Sequence, residues 1–317
     1  MHPSPVPHGH TAHRLDWAHL PPMVRRAISE RCGSPVTSAD SQDSGFTPGF
    51  ASVLHCEDGS HHFVKAASLI AQRPFAEAYR EEARKLAALP EGAPAPRLLW
   101  TVDAHDWFAL STEYVDARAP SRPWQAAELQ GCVDMLVSAA AALTPAPTGL
   151  DLPLAAEELG AWPAYWEHLR TTRPDLPHLE EAAALAATFA EVTAGSTLVH
   201  TDVRDDNLLL TTDGRVLLCD WNWPMVGAVW LDSLFLLIGP RGDGLDVDAV
   251  ISRHPLLSAV PPGHLDVVLA LVVGYFLKCA DDPVPTTSPF LREAQRWQGE
   301  VCWDWLCERR GWAPSSG

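Results

Sequence analysis

The sequence predicts an α+β protein of two lobes: a small lobe built on a mostly antiparallel sheet, and a larger, mostly helical lobe. Between residues 35 and 115, short apolar runs alternate with turns that contain Gly, Pro or Asp, as is typical of β-hairpins. From about residue 125 the chain is rich in Ala and Leu at helical spacing. We therefore expect a disordered tail at residues 1–14, an N-lobe at residues 15–115 and a C-lobe at residues 116–317.

The composition limits the kinds of partner. With 23 Lys and Arg against 40 Asp and Glu, the net charge is -17, which argues against nucleic acid or a membrane surface. The same charge favours a cationic small molecule, although a soluble acidic protein explains it equally well. The seven cysteines form no Cys-x-x-Cys motif, and residues 1–13 contain no apolar stretch. We expect reduced thiols, no secretory signal and a cytoplasmic location, while the oligomeric state stays open.

In the N-lobe, Gly and Pro mark where elements begin and end. A short helix is predicted to start after Pro21 and Pro22 and to end near Gly33. The apolar runs predict strands over residues 35–41, 51–56, 61–66, 97–102 and 107–114. The loop after the first strand contains Ser44, Gly45, Thr47 and Gly49. Such a loop can hold backbone N–H groups and hydroxyls over a triphosphate, although hairpins in general also favour glycine.

Lys65 lies within an otherwise apolar predicted strand, where a lysine is costly to bury unless it is paired. The helix predicted after Pro74 carries Glu82 beside its apolar face, and we expect the two side chains to form an ion pair. Glu81 and Glu77 are the alternative partners. The simpler alternative is an edge-strand lysine with a solvated ammonium group. The end of the last predicted N-lobe strand, with Glu113 and Val115, lies where a hinge between the lobes could contact an adenine edge.

Helices are predicted in the C-lobe from the Ala and Leu periodicity, over residues 125–143, 154–169, 178–194, 230–238, 256–262, 265–277 and 290–309. The run at residues 265–277 is too short to span a bilayer and suits a core helix.

Residues 198–220 carry the strongest signal for chemistry. His200, Asp202 and Asn207 form the pattern H-x-D-x-x-x-x-N, and a predicted hairpin with a turn at Asp213 and Gly214 returns the chain to a carboxylate at position 220. A phosphoryl-transfer site needs one carboxylate near the attacking hydroxyl, and an amide and a second carboxylate on Mg²⁺. The alternative is a surface hairpin whose Asp and Asn only stabilise turns.

Taken in chain order, these elements resemble the aminoglycoside phosphotransferase family of kinase-like enzymes. The similarity extends from residue 35 to the C-terminus, and the segments DVRDDNLLLTTDGRVLLCDW and GFTPGFASVL are especially similar to actinobacterial members. The resemblance implies a bilobal protein-kinase-like fold, binding of ATP or GTP with Mg²⁺ in the cleft, and transfer of the γ-phosphoryl group to a hydroxyl of a small molecule.

The same resemblance implies roles for individual residues. Asp202 would act as the catalytic base or orient the hydroxyl, and Asn207 and Asp220 would bind Mg²⁺. Lys65 would hold the α- and β-phosphates, with Glu82 fixing its position. Two residues would be structural: His200 in the loop, and Asp232 as an anchor for the loop backbone.

Other assignments are less constrained. Arg204 could donate to the transferring phosphoryl group, or it could be a surface arginine paired with Asp205 or Asp206. Candidate acceptor-pocket residues in the C-lobe are Glu157, Glu158, Asp281, Asp282, Trp303 and Asp304. Thr201 stands where many family members have Gly. Rival functions are a kinase of a choline, homoserine or sugar-type metabolite and a non-catalytic nucleotide-binding pseudokinase.

Overall fold

The computed structural model describes residues 2–9, 11–42, 44–46 and 48–312, and it has the predicted two-lobed α+β fold. The N-lobe strands are β1 (Val36–Ser41), β2 (Phe50–Cys56), β3 (His61–Ser68), β4 (Leu98–Ala104) and β5 (Trp107–Glu113). Among the described residues they form one antiparallel sheet in the order β1-β2-β3-β5-β4. Two helices accompany it, α1 (Pro22–Cys32) and α2 (Arg73–Ala88).

Each helix covers one face of this sheet. Val24 and Ile28 of α1 pack with one buried cluster of strand residues, including Val64 and Ala66. Helix α2 packs with a second cluster that includes Ala67. Because side chains along a strand alternate between faces, Lys65 points to the side of the sheet that carries α2. The strand period therefore sets up the contact between Lys65 and that helix.

The C-lobe helices surround a large apolar core centred on one long helix. Its elements are α3 (Ala126–Ala142), α4 (Ala155–Glu158), α5 (Tyr165–Thr172), α6 (Leu179–Ala186), α7 (Phe189–Val192), α8 (Leu231–Leu236), α9 (Ile238–Gly242), α10 (Val247–Arg253), α11 (Pro262–Ala280) and α12 (Leu291–Arg310). The central helix α11 has the length and apolar composition of a membrane span, but most of it is buried against α12, α6 and α5. Because most of its surface is buried by these helices, α11 is the core helix that the sequence predicts.

Several predicted helices differ from the structure. The helix predicted over residues 154–169 is broken at Gly160 and Pro163 into α4, a 3-10 helix at Trp162–Ala164, and α5. The helix predicted over residues 178–194 is divided into α6 and α7. Residues 256–260 form turns and a bend rather than the predicted helix, and Pro262 is the first residue of α11. Helix α10 was missed. It begins where the Asp246 carboxylate accepts a hydrogen bond from the Ala249 N–H at 3.0 Å.

Short strands complete the C-lobe beneath the cleft. They are β6 (Ala117–Arg118), β7 (Thr197–Val199), β8 (Leu208–Thr211), β9 (Val216–Leu218) and β10 (Met225–Gly227). Strand β8 pairs with β6 and β9, and β7 pairs with β10. The segment at residues 221–227 thus contains a short strand, β10.

Several described residues of the N-terminal tail, which the sequence predicts to be disordered, contact the rest of the protein. The His2 N–H donates to the Gly242 carbonyl at 2.8 Å, and the Val6 carbonyl accepts from Arg122 at 3.1 Å. Val6 and Ala12 are buried. This Pro- and His-rich segment thus contains a few apolar side chains that are buried, although its overall composition is typical of a disordered tail.

Candidate active site

The predicted ion pair between Lys65 and Glu82 is present. Lys65 Nζ lies 2.7 and 2.8 Å from the two Glu82 carboxylate oxygens, and 2.8 Å from Asp220 Oδ1. Burial alone would lower the pKa of Lys65, but the Asp220 and Glu82 carboxylates outweigh it and raise the pKa. One ammonium group therefore joins the N-lobe sheet, helix α2 and the C-lobe. Glu81, one of the alternative partners, pairs with Arg84, and Glu77 pairs with Arg73.

The β8–β9 hairpin brings Asn207 and Asp220 together. Leu208 is opposite Leu218 in the ladder, and the Cys219 N–H donates to the Asn207 carbonyl at 2.9 Å. Asn207 Nδ2 donates to the backbone carbonyl and to Oδ2 of Asp202, at 2.9 and 3.0 Å. The Asn207 amide is thereby fixed beside the Asp202 carboxylate, and Asn207 and Asp220 line the same cleft. Carboxylate and amide oxygens are ligands that Mg²⁺ accepts, so this group of donors fits the ion.

His200 and Asp232 hold the loop that carries Asp202. The Asp232 carboxylate accepts the backbone N–H groups of His200 and Thr201, at 2.7 and 2.8 Å. The Asp202 N–H donates to His200 Nδ1 at 3.2 Å, so the other ring nitrogen carries the proton and donates to the Cys219 carbonyl at 3.0 Å. The loop and the strand end before Asp220 are thus tied through one imidazole ring.

Thr201 adopts a backbone conformation that suits glycine. Its φ is 73°, in the left-handed region that a β-branched residue rarely occupies. The Thr201 hydroxyl donates to the Trp223 carbonyl at 2.9 Å, and Asp232 holds its N–H. These contacts explain how threonine is kept where many family members have Gly.

Arg204 contacts the Asp202 carboxylate directly. Its Nε lies 2.9 Å from Asp202 Oδ1, one of its terminal nitrogens lies 3.2 Å from Asp206, and its guanidinium lies over the Phe46 ring at 5.3 Å. The surface-arginine alternative is half right, because Asp206 is a partner, but the side chain is mostly buried. Asp205 instead pairs with Arg122.

A cleft of about 330 Å³ between the lobes collects most of the predicted nucleotide-binding residues. Its lining includes Ser44, Gly45, Lys65, Glu82, Glu113, Val115, Asn207 and Asp220. Gly49 is not part of it. Gly49 faces helix α2 instead: a Cβ there would come within 2.9 Å of the Tyr79 hydroxyl, so glycine is needed at this position for packing. Thr47 lies outside the described residues.

Arg14 is a cleft residue that sequence reasoning missed. It lines the cleft and donates to the Ser44 carbonyl at 3.0 Å, and its Nε is buried with no hydrogen-bond partner among the described residues. The Thr11 hydroxyl binds the Gly45 carbonyl at 2.6 Å. The Phe46 carbonyl accepts from Ser288 of the C-lobe. No signal in the sequence marks an arginine in a polar tail as part of a site.

A second cavity, of about 480 Å³, adjoins Asp202 on the C-lobe side. Of the six candidate acceptor residues, only Glu158 lines it. Asp281 and Asp282 pair with Arg173 and Lys278. The other three are also placed elsewhere: Glu157 caps α4, Trp303 is buried in the core, and Asp304 pairs with His2.

The sequence profile of the phosphotransferase enzyme family (APH) matches residues 54–263, about two thirds of the chain. The chain belongs to the phosphotransferase enzyme family. The match includes β3, α2 and the whole catalytic loop, so this phosphotransferase carries the family's region from Lys65 to Asp232. Comparison with curated protein sequences finds no match.

Solved structures support the fold of this phosphotransferase. A thermostable mutant of aminoglycoside phosphotransferase APH(4)-Ia, in a ternary complex with ADP and hygromycin B, aligns with a TM-score of 0.63 at 15% identity, covering 93% of this chain and 99% of the other. The aminoglycoside phosphotransferase from Alicyclobacillus acidocaldarius aligns with a TM-score of 0.56 at 16% identity, covering 87% and 92%. A putative fructosamine-3-kinase from Haemophilus somnus gives 0.55 at 13%, covering 88% and 96%. Family and fold together support a small-molecule phosphotransferase.

Proposed function

We propose that the protein is a Mg²⁺-dependent kinase that transfers the γ-phosphoryl group of ATP, or of GTP, to a hydroxyl of a small molecule. The observation that carries this proposal is the contact of Lys65 with both Glu82 and Asp220, beside Asn207 and Asp202. These residues also line two cavities: the inter-lobe cleft, which includes Lys65, and the cavity next to Asp202. Two adjoining cavities suit a site for two substrates better than an ion pair with a purely structural role. We also propose a cytoplasmic location, since the cysteines are free thiols.

In this proposal Asp202 receives the hydroxyl proton as the hydroxyl oxygen forms its bond to the γ-phosphorus and the bond to the β–γ bridging oxygen breaks. Lys65 neutralises charge on the nucleotide phosphates, and Arg14 adds a second cation from the N-terminal segment. Asn207 and Asp220 would hold Mg²⁺, which supplies charge neutralisation on the phosphates when bound. Arg204 keeps the Asp202 carboxylate oriented, because it contacts the Oδ1 atom and leaves Oδ2 to Asn207.

The test is nucleotide binding followed by phosphoryl transfer. Wild-type protein is titrated with a fluorescent ATP analogue with and without Mg²⁺, and incubated with γ-labelled ATP or GTP and a panel of hydroxyl compounds that includes choline, homoserine, sugars and aminoglycosides. We expect Mg²⁺-dependent binding and transfer to at least one compound. Absence of nucleotide binding would refute the proposal. Binding with neither transfer nor hydrolysis would favour the pseudokinase.

A further inference from the structure

The cavity next to Asp202 is lined mainly by apolar and aromatic side chains. It lies between the catalytic loop and helices α8, α11 and α12, and its aromatic residues are Phe46, Trp162, Trp223, Phe235, Tyr275 and Phe276. Aliphatic residues fill the spaces between them: Leu159, Val203, Met225, Ile238, Val272 and Leu291. In the position that an acceptor would occupy, the walls are thus of the kind that binds apolar ring surfaces.

Most of the charged side chains in the described lining of this cavity are already paired: Asp202 with Arg204, and Asp220 with Lys65. Glu158 is the fourth charged side chain in this described lining, and it is exposed to solvent at the edge of the cavity. The uncharged polar residues there are Thr201, Asn222, Gln295 and Gln298. A polycation that loses its water here would meet one free carboxylate for its several ammonium groups, and burying an unpaired charge is costly.

Two aromatic features give the cavity a flat surface and an open edge. Trp162 stacks on Tyr275 with the ring centroids 4.0 Å apart and the planes within 14°. Trp223 is 64% exposed, an unusual position for a side chain that gains much from burial. A ring lying across the cavity would cover Trp223 and leave its hydroxyl near Asp202.

We propose that the acceptor is an apolar, ring-containing alcohol that is neutral or carries a single ammonium group, and is not a polycationic aminoglycoside. This inference rests on the proposed kinase function and specifies its substrate class. Affinity then comes from ring burial, and the hydroxyl is selected by Asp202.

The experiment compares matched probes on the full-length protein with Mg²⁺ and the better nucleotide. The neutral probe is 4-ethylbenzyl alcohol, the single-ammonium probe is 4-(aminomethyl)benzyl alcohol, and the polycation is kanamycin. We expect kcat/KM for one of the aromatic probes to exceed that for kanamycin by about 10-fold or more, and to change little between low and high salt. A preference for kanamycin that weakens with salt would overturn the acceptor class.

Variants separate the contributions of ring contact and charge. Trp223→Ala should lower kcat/KM for the preferred aromatic probe about 10-fold, while Glu158→Gln should change it less than about threefold. Ile70→Ala removes a side chain that is 75% exposed outside the lining of this cavity and serves as the matched control. Ile70→Ala should leave basal hydrolysis of nucleotide unchanged. The Kd of Trp223→Ala for the fluorescent nucleotide, measured beside this control, reports whether the variant is folded.

The two levels of the proposal fail differently. If the wild type neither binds nor hydrolyses nucleotide, the kinase function itself is wrong. If it binds and hydrolyses nucleotide but neither aromatic probe is phosphorylated or competes with an accepted compound, the substrate class is wrong while the kinase function stands.

Discussion

The two sides of the site are built from opposite chemistry. The nucleotide side consists of charged groups that are already paired, such as Lys65 with Glu82 and Asp220. The acceptor side consists mostly of aromatic and aliphatic surface, with Trp162 stacked on Tyr275. Phosphate and Mg²⁺ bind well only to a few residue types, namely cations for phosphate and carboxylate or amide oxygens for the metal. Apolar ring surfaces can be bound by many combinations of aromatic and aliphatic side chains. The nucleotide side can therefore be predicted from a sequence motif, whereas the acceptor side is recognised only in the folded structure.

The largest effect should come from the residue where the two sides meet. Asp202→Ala removes the proton acceptor, so we expect kcat to fall by about 1,000-fold or more while the nucleotide Kd changes less than about threefold. Single-turnover transfer and fluorescent-nucleotide binding measure the two quantities. Asp213→Ala, at the exposed hairpin turn, is the control. Retained turnover in Asp202→Ala would show that Asp202 is not the proton acceptor.

Asp220→Ala tests the metal on the nucleotide side. We expect Mg²⁺-dependent nucleotide binding to weaken about 10- to 100-fold, with smaller loss of binding measured in EDTA. Removal of Mg²⁺ from the wild type should bring its affinity close to that of the variant. If both proteins respond to Mg²⁺ equally, the ion is held elsewhere.

Arg14→Ala tests whether the N-terminal segment belongs to the nucleotide side. The loss of one cation near the phosphates should weaken nucleotide binding about 5- to 20-fold without changing the relative preference among acceptors. Arg31→Ala, at the exposed end of α1, is the control because it removes an equal charge. An unchanged affinity in Arg14→Ala would mean that the arginine only anchors the loop through the Ser44 carbonyl.

The smallest effect concerns strain in the catalytic loop. Both Thr201→Gly and Thr201→Ala lose the hydrogen bond to the Trp223 carbonyl, but only glycine adopts a φ of 73° without steric strain. The glycine variant should therefore have the higher free energy of unfolding, by about 1 kcal/mol. Denaturant titration of the two variants measures the difference. Equal stability would indicate that the loop relaxes when the threonine is removed.

Much of the fold and of the nucleotide side could be predicted because each rests on a local pattern. Strand alternation fixed the face on which Lys65 lies, and helical spacing placed Glu82 near it. The breaks in the helix predicted over residues 154–169 were not foreseen, because Ala and Leu periodicity continues across Gly160 and Pro163. Apolar residues such as Tyr275 and Phe276 gave no functional signal, since a cavity wall and a core share the same composition.

By itself, the sequence determined the order of the elements, the identity of the charged groups and the hairpin that returns Asp220 to Asn207. These depend on residue type and short spacing, which the chain carries locally. Tertiary structure alone decided that Arg14 enters the cleft, that Thr201 is held in a glycine-like conformation, and that aromatic rings face Asp202. Each of these depends on packing between segments far apart in the chain, for which no local pattern exists.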